Sequence, residues 1–275
     1  MIVEPFLAAG LAALFDDGLP APQPGEPLPA YWHLAACATP AATGDLGADG
    51  HPRAGILVPP ADLPRRMFAG GSLHIDQPLV VGERVEHSAA VVDTRDKQGR
   101  SGPLRFVTVE HSFAGALGDS AQVERQRIVY RAPGDPAARP VARPVGSGAP
   151  HAQPHRLLTP GGPLRGTLRA DPVALQRFSA LTSNAHRIHY DYPWATGVEG
   201  YPDLVVHGPL VLLALLELVR LDDPHRQVTD VEFTASAPVF CGDQVELSGT
   251  ADGDQLILQA TVRDQVAMTA TISSK

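Results

Sequence analysis

Apolar and polar residues alternate along several stretches of the chain. Near the C-terminus the alternating stretches are residues 231–235, 256–262 and 266–272. A period of two with polar residues in between is typical of antiparallel strands that bury one face. Residues 85–92 and 104–113 show a similar pattern, and the turn-like DKQGRSGP (residues 96–103) joins them. The pattern therefore predicts antiparallel strands in both the first and the second part of the chain.

One segment has a different pattern. Residues 210–219 (LVLLALLELV) are apolar on every side, which predicts a helix at the centre of the fold, and the segment is too short to cross a membrane. Pro209 suits the first turn of this helix, and Asp222-Asp223-Pro224 would end it. A buried helix followed by antiparallel strands predicts a sheet wrapped around one helix. The apolar run near the N-terminus predicts a further helix, amphipathic or packed, that ends near Gly18.

The chain contains an internal repeat. Residues 78–88 (PLVVGERVEHS) resemble residues 238–248 (PVFCGDQVELS), and each copy predicts a turn that leads into a strand. Between the two copies, residues 132–154 are rich in Pro, Ala and Gly without apolar periodicity, which is typical of a linker. We therefore predict two similar halves, residues 1–131 and 155–275, joined by that linker.

Composition narrows the function classes. The net charge is −8 at pH 7, and no basic stripe suits nucleic acid. The two cysteines, Cys37 and Cys241, form no CxxC pair and imply no disulfide framework. The apolar run at the N-terminus lacks a basic region and is too short to span a bilayer. We expect a cytoplasmic protein that binds neither nucleic acid nor a membrane.

Candidate chemistry is concentrated in residues 178–219. Three histidines, His186, His189 and His207, precede the pair Gly208-Pro209 that opens the apolar helix. Imidazole is the side chain best suited to move protons near neutral pH. A glycine at a helix N-terminus offers a backbone N–H at the positive end of the dipole. Together these groups predict addition to, or elimination from, an activated carbonyl compound.

The residues of this segment resemble a known family. Residues 178–191 (FSALTSNAHRIHYD) are similar to the motif of the MaoC-like hydratase/dehydratase family of hotdog folds, in its double-hotdog form. The resemblance implies an α+β fold in which antiparallel sheets each wrap around a central helix. It implies that His189 is the catalytic histidine and that the N–H of Gly208 holds the thioester oxygen. The family's catalytic aspartate falls on Asn184, which is a departure from the motif.

A narrower resemblance involves both halves. The motif NAHRIHYD (residues 184–191), EGYP (199–202) and RRMFAGG (65–71) are similar to mesaconyl- and itaconyl-CoA hydratases, which act on C5 dicarboxylic thioesters. GRSGPL (99–104) and FVTV (106–109) belong to the same resemblance. The first half lacks a His-x-x-His motif and a Val-His-Gly helix opening, so we expect a degenerate first half. One active site per chain should then lie where the halves meet.

The missing aspartate leaves the second proton transfer open. Asn184 cannot exchange protons usefully, but its amide can orient a water molecule, or it can serve as an Asx cap. Either His189 moves both protons, or Asp191, Glu199 or a substrate carboxylate takes the second role. We interpret His186 as a structural neighbour of the site and His207 as packing beneath Gly208.

Further residues are candidates for ligand binding. Arg65, Arg66 and Arg187 can contact phosphate or carboxylate groups because a guanidinium forks onto such anions, and Asp191 completes the substrate-binding set. A metal site formed by histidines and Asp191 is the alternative use of the same motif, but its HxxHxD spacing is not a tight zinc signature. Since thioester hydration needs no metal once an oxyanion hole exists, we expect no metal and no cofactor.

Taken together, these residues and the resemblance predict an acyl-CoA hydratase/dehydratase of the hydro-lyase class. The expected substrate is a short C5 dicarboxylic acyl-CoA, itaconyl-CoA or mesaconyl-CoA. Two alternatives stay open at this point. One is a 3-hydroxyacyl-ACP dehydratase of fatty acid synthesis, and the other is a non-catalytic acyl-CoA-binding hotdog protein. A homodimer is compatible with each of these three functions.

Overall fold

The computed structural model describes residues 1–57, 60, 62–99, 102–116, 118, 121–132 and 156–275. Its ten named strands form a single antiparallel sheet in the order β2-β3-β4-β1-β7-β10-β9-β8-β6-β5. The helices are α1 (Pro5–Phe15), α2 (His33–Ala36), α3 (Pro172–Leu181) and α4 (Gly208–Asp222). The strands are β1 (Arg65–Gln77), β2 (Val85–Gly99), β3 (Gly102–Gly115), β4 (Ala121–Arg131), β5 (Leu158–Gly162), β6 (Arg165–Arg169), β7 (Val228–Ala235), β8 (Gln244–Asp252), β9 (Gln255–Val262) and β10 (Gln265–Ser274).

The two halves meet along one strand pair. Strand β1 of the first half runs antiparallel to β7 of the second half, with Gly71 opposite Phe233. A Cβ atom on Gly70 would lie 2.5 Å from the carbonyl oxygen of Phe233, and one on Gly71 would lie 2.2 Å from that of Arg125. Only glycine allows such close backbone approach. The Gly-Gly pair therefore permits the junction that makes one continuous sheet.

Helix α4 lies at the centre of the second half, as its apolar sequence predicts. Every residue from Leu210 to Val219 is buried. The helix packs against β6, β8, β9 and β10. It begins at Gly208, with Pro209 in its first turn, and ends at Asp222. No helix in the described part of the chain is long and apolar enough to span a membrane.

The internal repeat has the same local structure in both halves. In each copy a turn contains a glycine in the left-handed region, Gly82 at φ 87° and Gly242 at φ 78°. The turns lead into β2 and β8, respectively. Both glycines occupy a conformation that favours glycine over residues with a side chain. The predicted turn-and-strand repeat is therefore confirmed.

The strands of the first half are longer than the sequence pattern suggests. The predicted turn at residues 96–103 is much shorter, because β2 continues to Gly99 and β3 begins at Gly102. The residues at the end of β2 are polar and exposed, so apolar and polar residues no longer alternate there. The backbone pairing of β2 with β3 nevertheless continues. Apart from Ala132, the predicted linker 132–154 lies outside the described residues.

The N-terminal segment packs against the second half of the chain as well as against the first half, to which it belongs. Helix α1 contacts α3, and the predicted N-terminal helix is thereby confirmed as a packed one. The indole Nε1 of Trp32 donates a hydrogen bond to Glu217 of α4, with 2.8 Å between the heavy atoms. One hydrophobic core contains buried residues from α1 and α4 alike. The halves thus share a core as well as a sheet.

Candidate active site

A cavity of about 400 Å³ lies between the two halves. The second half contributes the motif residues and the start of α4, whereas the first half contributes β1, β4 and the loop before β1. The polar groups that line it include His51, Arg66, Asn184, His186 and His189, and the helix opening at Gly208 lies beside them. Apolar side chains form much of the remaining wall, which is the usual composition of a small-molecule site. The cavity lies where the sequence analysis predicts the active site, and its use as that site stays a prediction.

His189 is held in one orientation and one tautomer. It ends a short 3₁₀ turn, Arg187–His189, and its ring is buried. The Nδ1 atom lies 2.7 Å from the carbonyl oxygen of Val205. Since a carbonyl oxygen only accepts, Nδ1 carries the proton and Nε2 keeps the lone pair in the neutral ring. Burial lowers the pKa of His189 to about 4, so the ring is a neutral base near pH 7.

His207, the residue immediately before α4, packs against the ring of His189. The two rings stack with 3.6 Å between their centroids. The Nε2 of His207 lies 2.9 Å from the hydroxyl oxygen of Ser179 in α3, and its Nδ1 is buried without a partner among the described residues. Burial lowers the pKa of His207 well below its usual value. His207 is thus a buried neutral ring that fixes the plane of His189, a contact that differs from the predicted packing beneath Gly208.

Gly208 presents a backbone N–H at the start of α4. As the first residue of the helix, it has no intrahelical partner for that N–H. A Cβ atom here would come within 2.8 Å of the ring of Phe68, a residue of β1 in the first half. The glycine therefore lets the helix terminus and the Phe68 ring approach each other beside the cavity. This is the arrangement expected of a donor to a developing oxyanion.

Asn184 lies on the cavity wall, but half of its amide is engaged. Its Oδ1 accepts a hydrogen bond from the backbone N–H of His186, at 3.1 Å. This is the local Asx hydrogen bond that the sequence also allows. The amide nitrogen has no hydrogen-bond partner within the described residues and stays available to a ligand. The position therefore offers a donor and no acid or base.

A further pair of titratable side chains comes from the loop before β1, which the sequence analysis missed. His51 and Asp49 of this loop form a pair, with 2.9 Å between Nδ1 and Oδ2. Burial acts to raise the pKa of Asp49, but hydrogen bonds from the side chain and backbone of His51 lower it to about 2. The ring of His51 faces that of His186, with 4.1 Å between centroids. Four imidazoles thus form a row, here called the imidazole row: His51, His186, His189 and His207.

His186 occupies the middle of the imidazole row. Its centroid is 5.6 Å from that of His189, with the two rings perpendicular. Burial, reinforced by the neighbouring histidines, lowers its pKa to about 2. The ring makes no side-chain hydrogen bond to any described residue. His186 is therefore a neutral ring with nitrogen atoms available to a ligand or to water.

One group in the described part of the chain has the composition of a metal site. The donor atoms of Asp49, His51 and His186 lie within 4.8 Å of one another. In this arrangement the carboxylate of Asp49 already accepts the Nδ1 proton of His51. The group differs from the alternative metal site considered from the sequence, because Asp191 is not part of it.

The three candidate arginines have different environments. Arg65 is ion-paired with Glu199 at 3.2 Å. Arg187 binds Asp191, with 2.6 Å between the closest nitrogen and oxygen atoms. None of these four side chains lines the cavity. Arg65, Arg187 and Asp191, predicted to contact phosphate or carboxylate groups of the substrate, therefore lie outside this cavity in local ion pairs, and their role in substrate binding stays a prediction.

Arg66 is the exception among the three. Its side chain lines the cavity and makes no ion pair or hydrogen bond to any described residue. Burial lowers the pKa of its guanidinium, which nonetheless remains charged near pH 7. Adjacent strand residues point to opposite faces of a sheet, so Arg65 and Arg66 have different surroundings although they are neighbours in the chain.

Comparison with known proteins places these features in context. Residues 31–241 match the family described as hydroxyacyl-thioester dehydratase type 2 (Htd2). The chain is 39% identical over 266 residues to the mesaconyl-C(4)-CoA hydratase of Chloroflexus aurantiacus. The alignment covers 96% of this chain and 90% of that protein.

Solved structures with similar folds include a MaoC-like dehydratase. It has a TM-score of 0.72 at 17% identity, covering all of this chain and 95% of the other. A Mycobacterium tuberculosis protein described as having a double hotdog fold has a TM-score of 0.57 at 16% identity, covering all of this chain and 92% of the other. These similarities confirm the predicted α+β double-hotdog fold.

Proposed function

Because this chain belongs to the hydroxyacyl-thioester dehydratase type 2 family and is a hydro-lyase acting on acyl thioesters, we propose that its substrate is a short dicarboxylic acyl-CoA. Itaconyl-CoA and mesaconyl-CoA are the C5 compounds we favour. The similar Chloroflexus aurantiacus protein is named for mesaconyl-C(4)-CoA, whose acyl group carries a second carboxylate.

The observation that carries this proposal is the environment of Arg66. A guanidinium in a partly closed cavity has lost water, and no described carboxylate forms an ion pair with it. The carboxylate of Asp49 favours its charged form from a distance but is itself hydrogen-bonded to His51. An uncompensated buried charge is costly, whereas a well-placed carboxylate offsets much of that cost. A carboxylate at the far end of a short acyl group can meet Arg66 inside a cavity of this size.

The geometry also supports a course for the reaction. The neutral Nε2 of His189 takes a proton from water as the oxygen attacks the β-carbon of the unsaturated thioester. The N–H of Gly208 donates to the thioester oxygen, on which negative charge develops. The free amide nitrogen of Asn184 donates to the attacking water and fixes its position. Dehydration follows the same steps in reverse.

The experiment compares kcat/KM for itaconyl-, mesaconyl- and crotonyl-CoA in the wild type, Arg66→Met and a control. Arg169→Met is the control because Arg169 is exposed on β6 and outside the cavity. We expect Arg66→Met to lose roughly tenfold or more on the dicarboxylic thioesters, because a charge contact disappears. Crotonyl-CoA has no second carboxylate and should be affected little.

Two results would contradict the proposed substrate, and a third would contradict catalysis itself. Equal wild-type rates on all three thioesters would show that no group in the site selects the second carboxylate. A strong preference for long monocarboxylic chains would instead favour a dehydratase of fatty acid synthesis. A wild type that binds these thioesters without turning them over would favour a non-catalytic binding protein.

A further inference from the structure

Hydration of an unsaturated thioester moves two protons, but the MaoC-like motif supplies one usable group here. Asn184 stands where a carboxylate is expected and offers only an amide. The two carboxylates nearest in sequence are committed elsewhere, Asp191 to Arg187 and Glu199 to Arg65. The second proton must therefore come from His189 itself, from the substrate or from a group outside the motif.

The pair Asp49–His51 has the geometry of such a group. Asp49 accepts the Nδ1 proton of His51, which leaves Nε2 without a hydrogen-bond partner among the described residues. His51 lines the cavity, and its side chain is 17% exposed, so it can reach both a ligand and water. A carboxylate behind an imidazole fixes the tautomer and stabilises the imidazolium that forms during proton transfer.

The loop that carries this pair contacts the MaoC-like motif of the second half directly. A Cβ atom on Gly50 would lie 1.8 Å from the carbonyl oxygen of Ala185, so the loop backbone rests directly on the motif. The backbone N–H of Arg187 donates to the carbonyl oxygen of Asp49 at 2.9 Å. Its guanidinium also donates to the carbonyl oxygen of Ala48 at 3.0 Å. These contacts hold the pair beside the motif.

We propose that His51, oriented by Asp49, is the second catalytic acid–base residue and exchanges a proton with the α-carbon of the substrate. This proposal rests on the hydratase chemistry proposed above. In hydration, His189 accepts a proton from water while the C–O bond forms at the β-carbon. The C=C electron pair moves towards the thioester oxygen held by Gly208. His51, as imidazolium, then gives its Nε2 proton to the α-carbon.

The proton balance closes without any further reagent. After one turnover His189 carries the proton taken from water, and His51 has lost the proton now on carbon. Exchange with solvent returns both rings to their starting states. The net change is the addition of one water molecule, with no oxidation or reduction. The N-terminal half therefore supplies, from a distant loop, the function that Asn184 cannot provide.

The test separates the two proton transfers. A saturated thioester, butyryl-CoA, has an α-proton but no double bond, and its exchange in D₂O followed by NMR reports the α-carbon step alone. The variants are His51→Gln and Asp49→Asn. The control is His225→Gln, since His225 is exposed between α4 and β7 and outside the cavity. Binding of the acyl-CoA by calorimetry and the thermal midpoint are measured for every variant.

We expect His51→Gln to lose on the order of a hundredfold in both hydration and α-proton exchange, with acyl-CoA affinity and thermal midpoint close to the wild type. Asp49→Asn should lose a smaller factor in both rates. Hydration and exchange in His51→Gln within a few-fold of the wild type would overturn the proposal. A loss of affinity that accounts for the whole defect would do so as well.

Three further outcomes separate this proposal from a metal site and from the proposed substrate. Wild-type protein that contains stoichiometric zinc, lost in His51→Gln, would overturn the proposal because the same atoms would then be metal ligands. A preference for crotonyl-CoA would refute the proposed dicarboxylic substrate and leave the His51 result intact, since the assay runs on any thioester that turns over. A wild type that neither hydrates a thioester nor exchanges α-protons would refute both.

Discussion

At the scale of single residues, the environment of His189 determines what its ring can do. The carbonyl of Val205 fixes the proton on Nδ1, and stacking on His207 fixes the plane of the ring. Burial keeps the ring neutral. A neutral imidazole with its lone pair on Nε2 can accept a proton from water but cannot serve as the initial acid. The assignment of a single motif histidine as a base therefore rests on two contacts and on the burial of the ring.

Replacing this ring should abolish most of the activity. We expect His189→Ala to lower kcat by on the order of a hundredfold or more, because no described neighbour can place a base at the same position. Steady-state hydration kinetics, with circular dichroism as a check on folding, measure the effect. The exposed His225→Ala is the matched control. A folded His189→Ala protein with nearly normal turnover would refute the role of His189.

At the scale of elements, a short loop and a short turn depend on each other. The loop containing Gly47–Pro52 folds on itself through the hydrogen bond from the N–H of Gly47 to the carbonyl of His51, at 2.7 Å. Gly50 then adopts φ 91°, a conformation that favours glycine, and lies against Ala185. Neither half can build this contact alone. The candidate catalytic motif is thus held in place by a loop that lies over 130 residues earlier in the chain.

A methyl group at Gly50 should separate these two elements. We expect Gly50→Ala to lower the free energy of unfolding by roughly 1–3 kcal/mol, from backbone strain, and to reduce turnover further by displacing the loop. Gly44→Ala is the matched control, because a Cβ atom there meets nothing within 4 Å. Denaturant unfolding and kcat are measured for both variants. Equal stability and activity in the two variants would show that the loop does not rest on the motif.

At the scale of the whole molecule, the halves act as one unit. They share the β1–β7 strand pair and a hydrophobic core, and the cavity lies where they meet. The first half contributes Phe68, Arg66 and His51 to that cavity, and the second half contributes the motif and α4. The first half therefore contributes side chains to the same cavity as the motif.

The buried histidines of the cavity should make the protein less stable at acidic pH. Burial lowers the pKa of His186 to about 2 and that of His189 to about 4, whereas both return to about 6.5 in the unfolded chain. Below pH 6.5 the unfolded state then binds more protons, so the free energy of unfolding falls with pH until the folded-state pKa is reached. For His189 alone the full loss is about 3 kcal/mol.

Denaturant unfolding at pH 7, 6 and 5 should show this decline. Glu217 acts in the opposite direction, because burial raises its pKa to about 7 and the folded state then binds the extra proton. Glu217 is a single group, whereas several buried histidines destabilise the folded state as the pH falls. We therefore expect the free energy of unfolding to decrease on acidification. His186→Gln should reduce the slope. A free energy of unfolding that stays constant from pH 7 to pH 5 would contradict the neutral state of these rings.

The sequence by itself determined the elements whose signals are local. Helix α4 was predicted from its apolar residues, β7, β9 and β10 from their alternation, and the two turns from their shared glycines. These predictions hold because a period of 2 or 3.6 residues reports directly on which face of an element is buried. The motif likewise indicated His189 and Gly208, since a short spacing fixes their positions relative to one turn and one helix opening.

Only the tertiary structure decided which distant residues meet. It separated Arg66, which reaches the cavity, from Arg65 and Arg187, which are paired with carboxylates. It also brought Asp49 and His51 onto the motif, although no periodicity marks their loop. Contacts between distant segments depend on how the whole fold packs, and this leaves no signal in the local sequence pattern. The candidate catalytic motif was therefore identified from the sequence, whereas the residues that pack against it became visible only in the folded molecule.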